Sequence, residues 1–379
     1  AAKRIMRQRL VDDVRRRLRL SWLDRGASDA ELGWIDDVLD PDVLTIGFAR
    51  RVPSYKRLTL MLRDPDRLRE LLLHPERPVQ LVIAGKSHPA DDGGKGLIQQ
   101  LVQFADQAEV RHRIVFLPDY DIGMARLLYP GCDVWLNNPL RPLEACGTSG
   151  MKAALNGGLN LSILDGWWDE WYDGENGWAI PTASGLADTD RRDDLEAAAL
   201  YDLIEKSVAS RFYARDEADL PTRWLTMVQH TLADLGPKVL ASRMVADYVE
   251  QLYRPAAGAS RLMAADNFAA ATALNTYVSR VSSAWPAVRV EHVDVSGVGD
   301  EPAQGTSVQV RAYVALGGLT PDDVVVQLVS GRVDASDRIV APRATPLAPV
   351  ESYEGNRWKF ESGVALNSTG PFGYTVRIL

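Results

Sequence analysis

The chain is poor in sulfur and histidine and has no long apolar run. Two cysteines, Cys132 and Cys146, in 379 residues give no disulfide framework, so a packed core must carry stability, and a reducing, cytoplasmic setting is the expectation. The five histidines, His74, His88, His112, His230 and His292, are scattered without ligand spacing, which argues against a metal hydrolase. No stretch reaches the roughly 18 apolar residues of a membrane span, and no secretory leader is expected. Neither a P-loop nor a G-x-G-x-x-G is present, so nucleotide binding lacks its usual cradle. Positive charge is outnumbered, 43 Lys and Arg against 51 Asp and Glu for a net charge of −8, which disfavours a nucleic-acid partner. The basic start is no exception: Met6, Leu10, Val14 and Leu18 recur at four-residue spacing, and Asp12 and Asp13 interrupt the charge. That pattern is an amphipathic helix with a solvated basic face.

What is present is an ordinary globular composition, 46% hydrophobic and 25% charged, over a length that allows two cores. Residues 1–24 read as one helix, with a short second one at 29–39. Short apolar runs at 43–49, 79–84, 114–117, 134–136 and 159–163 suit buried parallel strands. Helical segments are expected between them at 58–72, 96–105, 122–129 and 151–156. This alternation predicts a doubly wound α/β sheet, whose ligand crevice lies beyond the carboxyl ends of its strands. Helices resume from 193 to about 253. After Pro255-Ala-Ala-Gly-Ala259 and one more helix at 261–283, the character changes. Alternating segments at 288–295, 307–316, 324–329, 357–366 and 373–379, separated by Gly, Pro and Asp, predict a small antiparallel Ig-like β-sandwich. The expected organisation is therefore a helical lead-in (1–40), an α/β domain (41–255), a helical connector (256–284) and a sandwich (285–379).

The segment richest in chemistry is Glu144-Ala-Cys-Gly-Thr-Ser-Gly-Met-Lys-Ala-Ala-Leu-Asn-Gly-Gly158. A carboxylate precedes a loop of small residues, and a lysine follows where a helix should start. Gly147 and Gly150 permit close backbone approach, and Thr148 and Ser149 can donate to an anion at a helix N-terminus. Lys152 follows on the first turn. A buried lysine beside a phosphate site has a lowered pKa and suits Schiff-base attachment of pyridoxal 5'-phosphate. A plain strand–loop–helix crossover would use the same glycines. A second basic segment, Ile46-Gly-Phe-Ala-Arg-Arg-Val-Pro-Ser-Tyr-Lys-Arg57, lies at another strand end.

Residues 144–166 resemble the cofactor-lysine segment of the α-glucan (glycogen and maltodextrin) phosphorylases, E-A-S-G-T-x-x-M-K followed by L-N-G and L-D-G. Residues 46–57 resemble that family's R-x-x-x-Y-K-R segment. The Trp-rich stretch at 166–180 is closer to the short bacterial branch, and the resemblance covers roughly residues 1–255. It implies phosphorolysis of an α-1,4-glucan, glycogen or maltodextrin, by inorganic phosphate, releasing glucose 1-phosphate with retention. Pyridoxal 5'-phosphate would be tethered to Lys152, and its phosphate would act as acid and base. Arg51 and Lys56 match the substrate-phosphate residues, and Arg50 stands where a lysine commonly meets the coenzyme phosphate. Glu144 matches the acceptor of glucose hydroxyls; Cys146 replaces a serine that offers its backbone N–H; and Gly147, Thr148 and Ser149 match donors to sugar and phosphates. Tyr120 matches a tyrosine of the coenzyme pocket, Tyr55 would flank the donor sugar, and Lys86 is a weaker candidate. Trp167, Trp168, Trp171 and Trp178 are read as packing residues before sugar-stacking ones.

The resemblance also implies an amino-terminal half outside these residues, without which catalysis should be incomplete. It is compatible with a homo-oligomer and with allosteric control. Two other readings remain: a nucleotide-sugar glucosyltransferase of the same fold, which often carries glutamate where this chain has Lys152, and a non-catalytic cofactor-holding fragment.

Overall fold

A computed structural model of the chain describes residues 2–297, 305–366 and 369–379. Two compact units are present, Ala1–Tyr248 and Val249–Leu379. The first opens with helix α1 (Ala2–Asp24), whose Leu10, Val11, Val14 and Leu18 are buried, while Met6, expected on the same stripe, is exposed; Ala1 lies outside the described residues. The expected helix at 29–39 is instead two 3₁₀ turns, Asp29–Glu31 and Gly33–Asp37.

Strands β1 (Leu44–Arg51), β2 (Val79–Lys86), β3 (Ile114–Pro118), β4 (Val134–Asn137), β5 (Leu159–Ile163) and β6 (Gly177–Ile180) form one sheet in the order β3-β2-β1-β4-β5-β6. Every pairing in it is parallel. Both faces of the strands are covered, so nearly every strand position is buried, including the polar Thr45, Gln80, Asn160 and Ser162. One face packs Ile46, Phe48, Leu81, Ile83, Leu136 and Leu161 beneath Leu68, Leu101 and Leu200. The other packs Ala49, Val82, Val115 and Trp135 beneath Leu10, Val14 and Leu128. The sheet order reverses between β1 and β4, and the crevice beyond their carboxyl ends is where open α/β sheets take ligands.

Helices α2 (Pro65–Leu72), α3 (Asp92–Ala105), α4 (Ile122–Gly131), α5 (Thr148–Leu155) and α6 (Trp167–Trp171) fall between the strands. The continuous helix expected at 58–72 is broken: a 3₁₀ turn covers Leu60–Arg63, and Pro65 starts α2 anew with Asp64 accepting the Arg67 N–H at 3.0 Å. Helices α7 (Thr189–Leu203), α8 (Ala209–Tyr213), α9 (Thr222–Val239) and α10 (Ala241–Tyr248) complete the unit.

In the second unit, α11 (Arg254–Ala284) is interrupted at Ala265–Phe268, where Asp266, Asn267 and Phe268 have positive φ. The described strands there are β7 (Arg289–Ser296), β8 (Ser307–Ala315), β9 (Val326–Val333), β10 (Ile339–Pro346), β11 (Ala348–Tyr353), β12 (Arg357–Ala365) and β13 (Phe372–Ile378). They form two antiparallel sheets, β10-β9-β13 and β11-β12-β8-β7, around Val310, Val314, Val326, Leu328 and Phe360. No helix among the described residues is long and apolar enough to cross a membrane.

Candidate active site

The two sequence segments meet at the β1/β4 switch point. Strand β1 carries Arg50 and Arg51 to its end, where Arg51 pairs in register with Lys86 of β2. Arg51 and Lys86 are both exposed. Arg50 is 8% exposed, stacks 4.4 Å over the Phe48 ring and donates to the Leu136 carbonyl at 3.2 Å. Burial pulls its pKa down to about 10, against the opposing influence of Glu144, Tyr129, Tyr55 and Tyr120. Its Nε is buried without a hydrogen-bond partner. A charge kept in the interior with a donor unused is costly to folding unless a guest completes it.

Beyond β1, a 3₁₀ turn at Ser54–Lys56 turns the chain back. Lys56 Nζ lies over the Tyr55 ring at 4.7 Å and forms an ion pair with Glu144. Arg57, at φ 51, anchors this turn from inside. Its Nε donates to the Asn138 carbonyl at 2.9 Å, one terminal nitrogen to the Pro139 carbonyl at 3.0 Å, and the other to Asp193 at 2.8 Å. The nitrogen on Pro139 also lies 2.6 Å from Glu196 Oε2, off the hydrogen-bonding direction, since that oxygen has no hydrogen-bond partner. Burial would raise the Glu196 carboxyl, but Arg192, Thr182 and Arg57 hold it below the usual range. Neither Arg50 nor Arg57 belongs to a solvated basic loop.

On the other side of the crevice, Asp165 holds the loop that carries Glu144. Its carboxylate accepts the N–H of Glu144 and that of Gly166, both at 3.0 Å. Gly166 has φ 57, and a Cβ there would lie 2.3 Å from the Cys146 carbonyl oxygen, so only glycine allows the two segments to cross. Helices α3 and α4 begin under carboxylate caps, Asp91 and Asp121 accepting Gly94 and Met124 N–H groups. Helix α5 begins instead at Gly147, φ 86, with no side-chain cap. Its first-turn amides at Thr148 and Ser149 keep the positive end of the helix open to an anion. Gly150 has a different task from ligand approach: it is buried, and a Cβ would lie 2.4 Å from Asn160 Oδ1. Cys146 is half-buried, and burial raises its thiol with help from Glu144 and Glu170.

The expectation of a buried lysine needs correction. Lys152 is exposed, with Nζ 5.9 Å from the centroid of Tyr129, because Gly150, Ala153 and Ala154 occupy the buried face of α5. Tyr129 in turn shares a hydrogen bond with Tyr120 at 3.1 Å, and burial pushes both phenols upward. Arg50, Tyr55, Lys56, Tyr120 and Glu144 thus converge, with Lys152 on their margin. Trp167, Trp168 and Trp178 are core residues, at 4%, 0% and 5% exposure. Sequence reasoning missed Arg57, Asp165 and Tyr129 as site-forming residues. Arg57 lies within residues 46–57 and Asp165 within residues 144–166, so the signal was present; Tyr129 had none.

Fold and site together define a doubly wound α/β protein in which arginine, lysine, glutamate and tyrosine side chains gather at the sheet's switch point, together with an antiparallel sandwich. The carbohydrate phosphorylase family pattern matches residues 38–170, and that of the glycogen phosphorylase C-terminal domain matches 285–379. A glycogen phosphorylase of Mycobacterium tuberculosis is 63% identical over 99% of this chain and 43% of its own length. A maltodextrin phosphorylase of Thermococcus litoralis is 37% identical over 90% of this chain and 40% of its own. A glycogen phosphorylase of Aquifex aeolicus is 45% identical over 65% of this chain and 35% of its own. The chain belongs to the α-glucan phosphorylase family, in its short bacterial form. It spans about two-fifths of the length of the curated relatives it matches.

Proposed function

We propose that this chain supplies the cofactor- and phosphate-binding half of an enzyme that cleaves α-1,4-glucan with inorganic phosphate, releasing glucose 1-phosphate with retention of configuration. The observation that carries this reading is Arg50, a buried cation with an unpartnered Nε, at the same switch point as the uncapped N-terminus of α5. These features, with Tyr120 and Tyr129, fit an anionic aromatic guest, and pyridoxal 5'-phosphate is the guest this family implies. Bound there through Lys152, it would supply a phosphate whose second pKa, about 6, suits proton exchange near neutrality.

The protein's own residues do the rest. Arg50 and the α5 amides at Thr148 and Ser149 would hold the coenzyme phosphate. Arg51 and Lys56 receive the substrate phosphate, while Glu144 accepts glucose hydroxyls. The Lys56–Glu144 ion pair gives this assignment a sequence of events: a phosphate dianion that draws Lys56 away frees Glu144 for the sugar. Phosphate and sugar should therefore each favour the other's binding, since both release one shared contact. Tyr55 flanks the sugar, and Cys146 contributes its backbone. An amino-terminal half would supply the opposing wall that positions glucan and excludes water. A cytoplasmic location and control by effectors accord with the family.

The test is borohydride reduction of cofactor-loaded protein, followed by digestion and mass spectrometry. A reduced pyridoxyl adduct is expected on the peptide containing Lys152. An adduct on Lys56 or Lys86 instead, or none at all, rejects the assignment.

A further inference from the structure

The second unit carries a feature that its own folding does not require. In the sheet β11-β12-β8-β7, Val308, Val310, Ala312 and Val314 of β8 and Phe360 of β12 point into the sandwich core. The intervening positions face away from it. On that outer face Tyr313 stands opposite His292 of β7 and Lys359 of β12. The His292 and Tyr313 rings have centroids 5.8 Å apart with planes 32° from parallel, and Tyr313 and Tyr353 of β11 lie 6.0 Å apart at 43°. The three rings form a row across the sheet. His292 and Tyr353 are exposed, Tyr353 by 41%, and Tyr313 is half-buried between them.

We propose that this row is a binding platform for an α-1,4-linked glucan chain. The charged groups around the rings neutralise one another in pairs: Arg357 with Glu291 at 2.7 Å, Lys359 with Glu351 at 2.9 Å, and Arg311 with Asp294 at 3.3 Å. A face with cations and anions matched in this way offers no field to a polyphosphate, a nucleic acid or an anionic membrane. It suits a neutral ligand with apolar faces and hydroxyl edges. A pyranose ring lays its C–H face on an aromatic ring and presents hydroxyls to the carboxylates and guanidinium groups beside it. Successive rings about a sugar's length apart accommodate successive residues of one chain. Cross-strand aromatic pairs also stabilise sheets, but that role needs no access to solvent.

The choice of an α-glucan as occupant rests on the function proposed above; the existence of the platform does not. The experiment uses the whole chain and β-cyclodextrin, a closed α-1,4-glucan ring with no chain end to be phosphorolysed, followed by calorimetry. Wild type should bind it. Tyr353→Ala and Tyr313→Ala should each weaken binding at least tenfold with unchanged circular dichroism, while Tyr313→Phe, which keeps the ring, should bind as wild type. Because Tyr353 lies on an exposed edge strand, its variant remains informative if Tyr313→Ala fails to fold. Lys152→Ala should leave β-cyclodextrin binding intact. Absence of binding in wild type, or full binding by both alanine variants, overturns the proposal, as does equal affinity for a β-1,4-linked cellohexaose. Loss of binding in the tyrosine variants of a protein that carries no pyridoxyl adduct would uphold the platform and reject the phosphorylase reading.

Discussion

The two units differ in where they keep charge. Among the described residues, the α/β unit buries Arg50, Arg57, Asp133, Asp165, Arg192 and Glu196, whereas Ser330 is the one buried polar residue of the sandwich. Three ion pairs of the sandwich lie at its surface, Arg311, Lys359 and Arg357 pairing with side chains that are 23% to 54% exposed; Asp323, with a side chain 8% exposed, pairs with the more exposed Arg280. Desolvating a charge is unfavourable, and a well-packed apolar core would be at least as stable. Buried charge in the first unit is therefore a mark of a site held in place. Exposed, matched charge in the second marks a unit whose chemistry lies on its face.

The strongest way to break this comparison is to cut one buried network and one surface pair. Arg57→Ala should cost the α/β unit about 3 kcal/mol, because buried Glu196 is left with Arg192 alone, Asp193 keeps only the longer pair with Arg63, and the Asn138 and Pro139 carbonyls lose their donor. It should also release the turn that presents Lys56. Arg311→Ala on the sandwich should cost about 0–1 kcal/mol. Denaturant unfolding of the two variants measures both. Equal losses would mean that burial does not distinguish the units.

A smaller effect is expected at Asp165. Its carboxylate accepts two backbone N–H groups that fix the loop bearing Glu144, and hydrogen bonds to a charged group contribute about 1.5–3 kcal/mol. Asp165→Ala should lower stability by that amount and weaken sugar binding more than cofactor retention. The readout is maltoheptaose affinity beside the pyridoxal absorbance of the same sample. Loss of cofactor with unchanged sugar affinity would place Asp165 on the other side of the crevice.

These contrasts also explain what could be read from the chain beforehand. The parallel strands were legible because they carry short apolar runs such as Leu81–Ala84 in β2 and Val134–Leu136 in β4, and both site segments sit at strand ends where periodicity stops. Strands β10 and β11 were missed. Pro342, Pro346 and Pro349 obscure them, and both lie at sheet edges, where proline is tolerated. Strand β6 hid inside a Trp-rich motif. The burial of Arg50 and Arg57 and the exposure of Lys152 are set by packing between distant segments, so no local pattern records them.

The smallest expected effect concerns pH. His230 on α9 bonds Asp173 at 2.7 Å, tying the turn at 173–176 to the helix. The Asp173 hydrogen bond raises the imidazole above its ordinary value. Burial would raise Asp173, but His230 and the N–H groups of Glu175 and Asn176 outweigh it, so that carboxyl is lowered. A raised histidine contributes stability that is complete below its unfolded pKa, about 6.5, and is lost as pH rises through the higher folded value. A lowered aspartate contributes above its unfolded pKa, about 3.9, and loses that contribution as pH falls. The pair is therefore strongest between about pH 4 and 6.5. The difference in unfolding midpoint between wild type and His230→Gln should peak in that window and shrink as pH rises beyond it. Both side chains are about one-third exposed, so solvent screening keeps the effect below that of the buried Arg57 network. A difference that instead grew above pH 7 would mean that neutral His230 makes the contact, with the proton on the ring nitrogen facing Asp173 and no charge in the link.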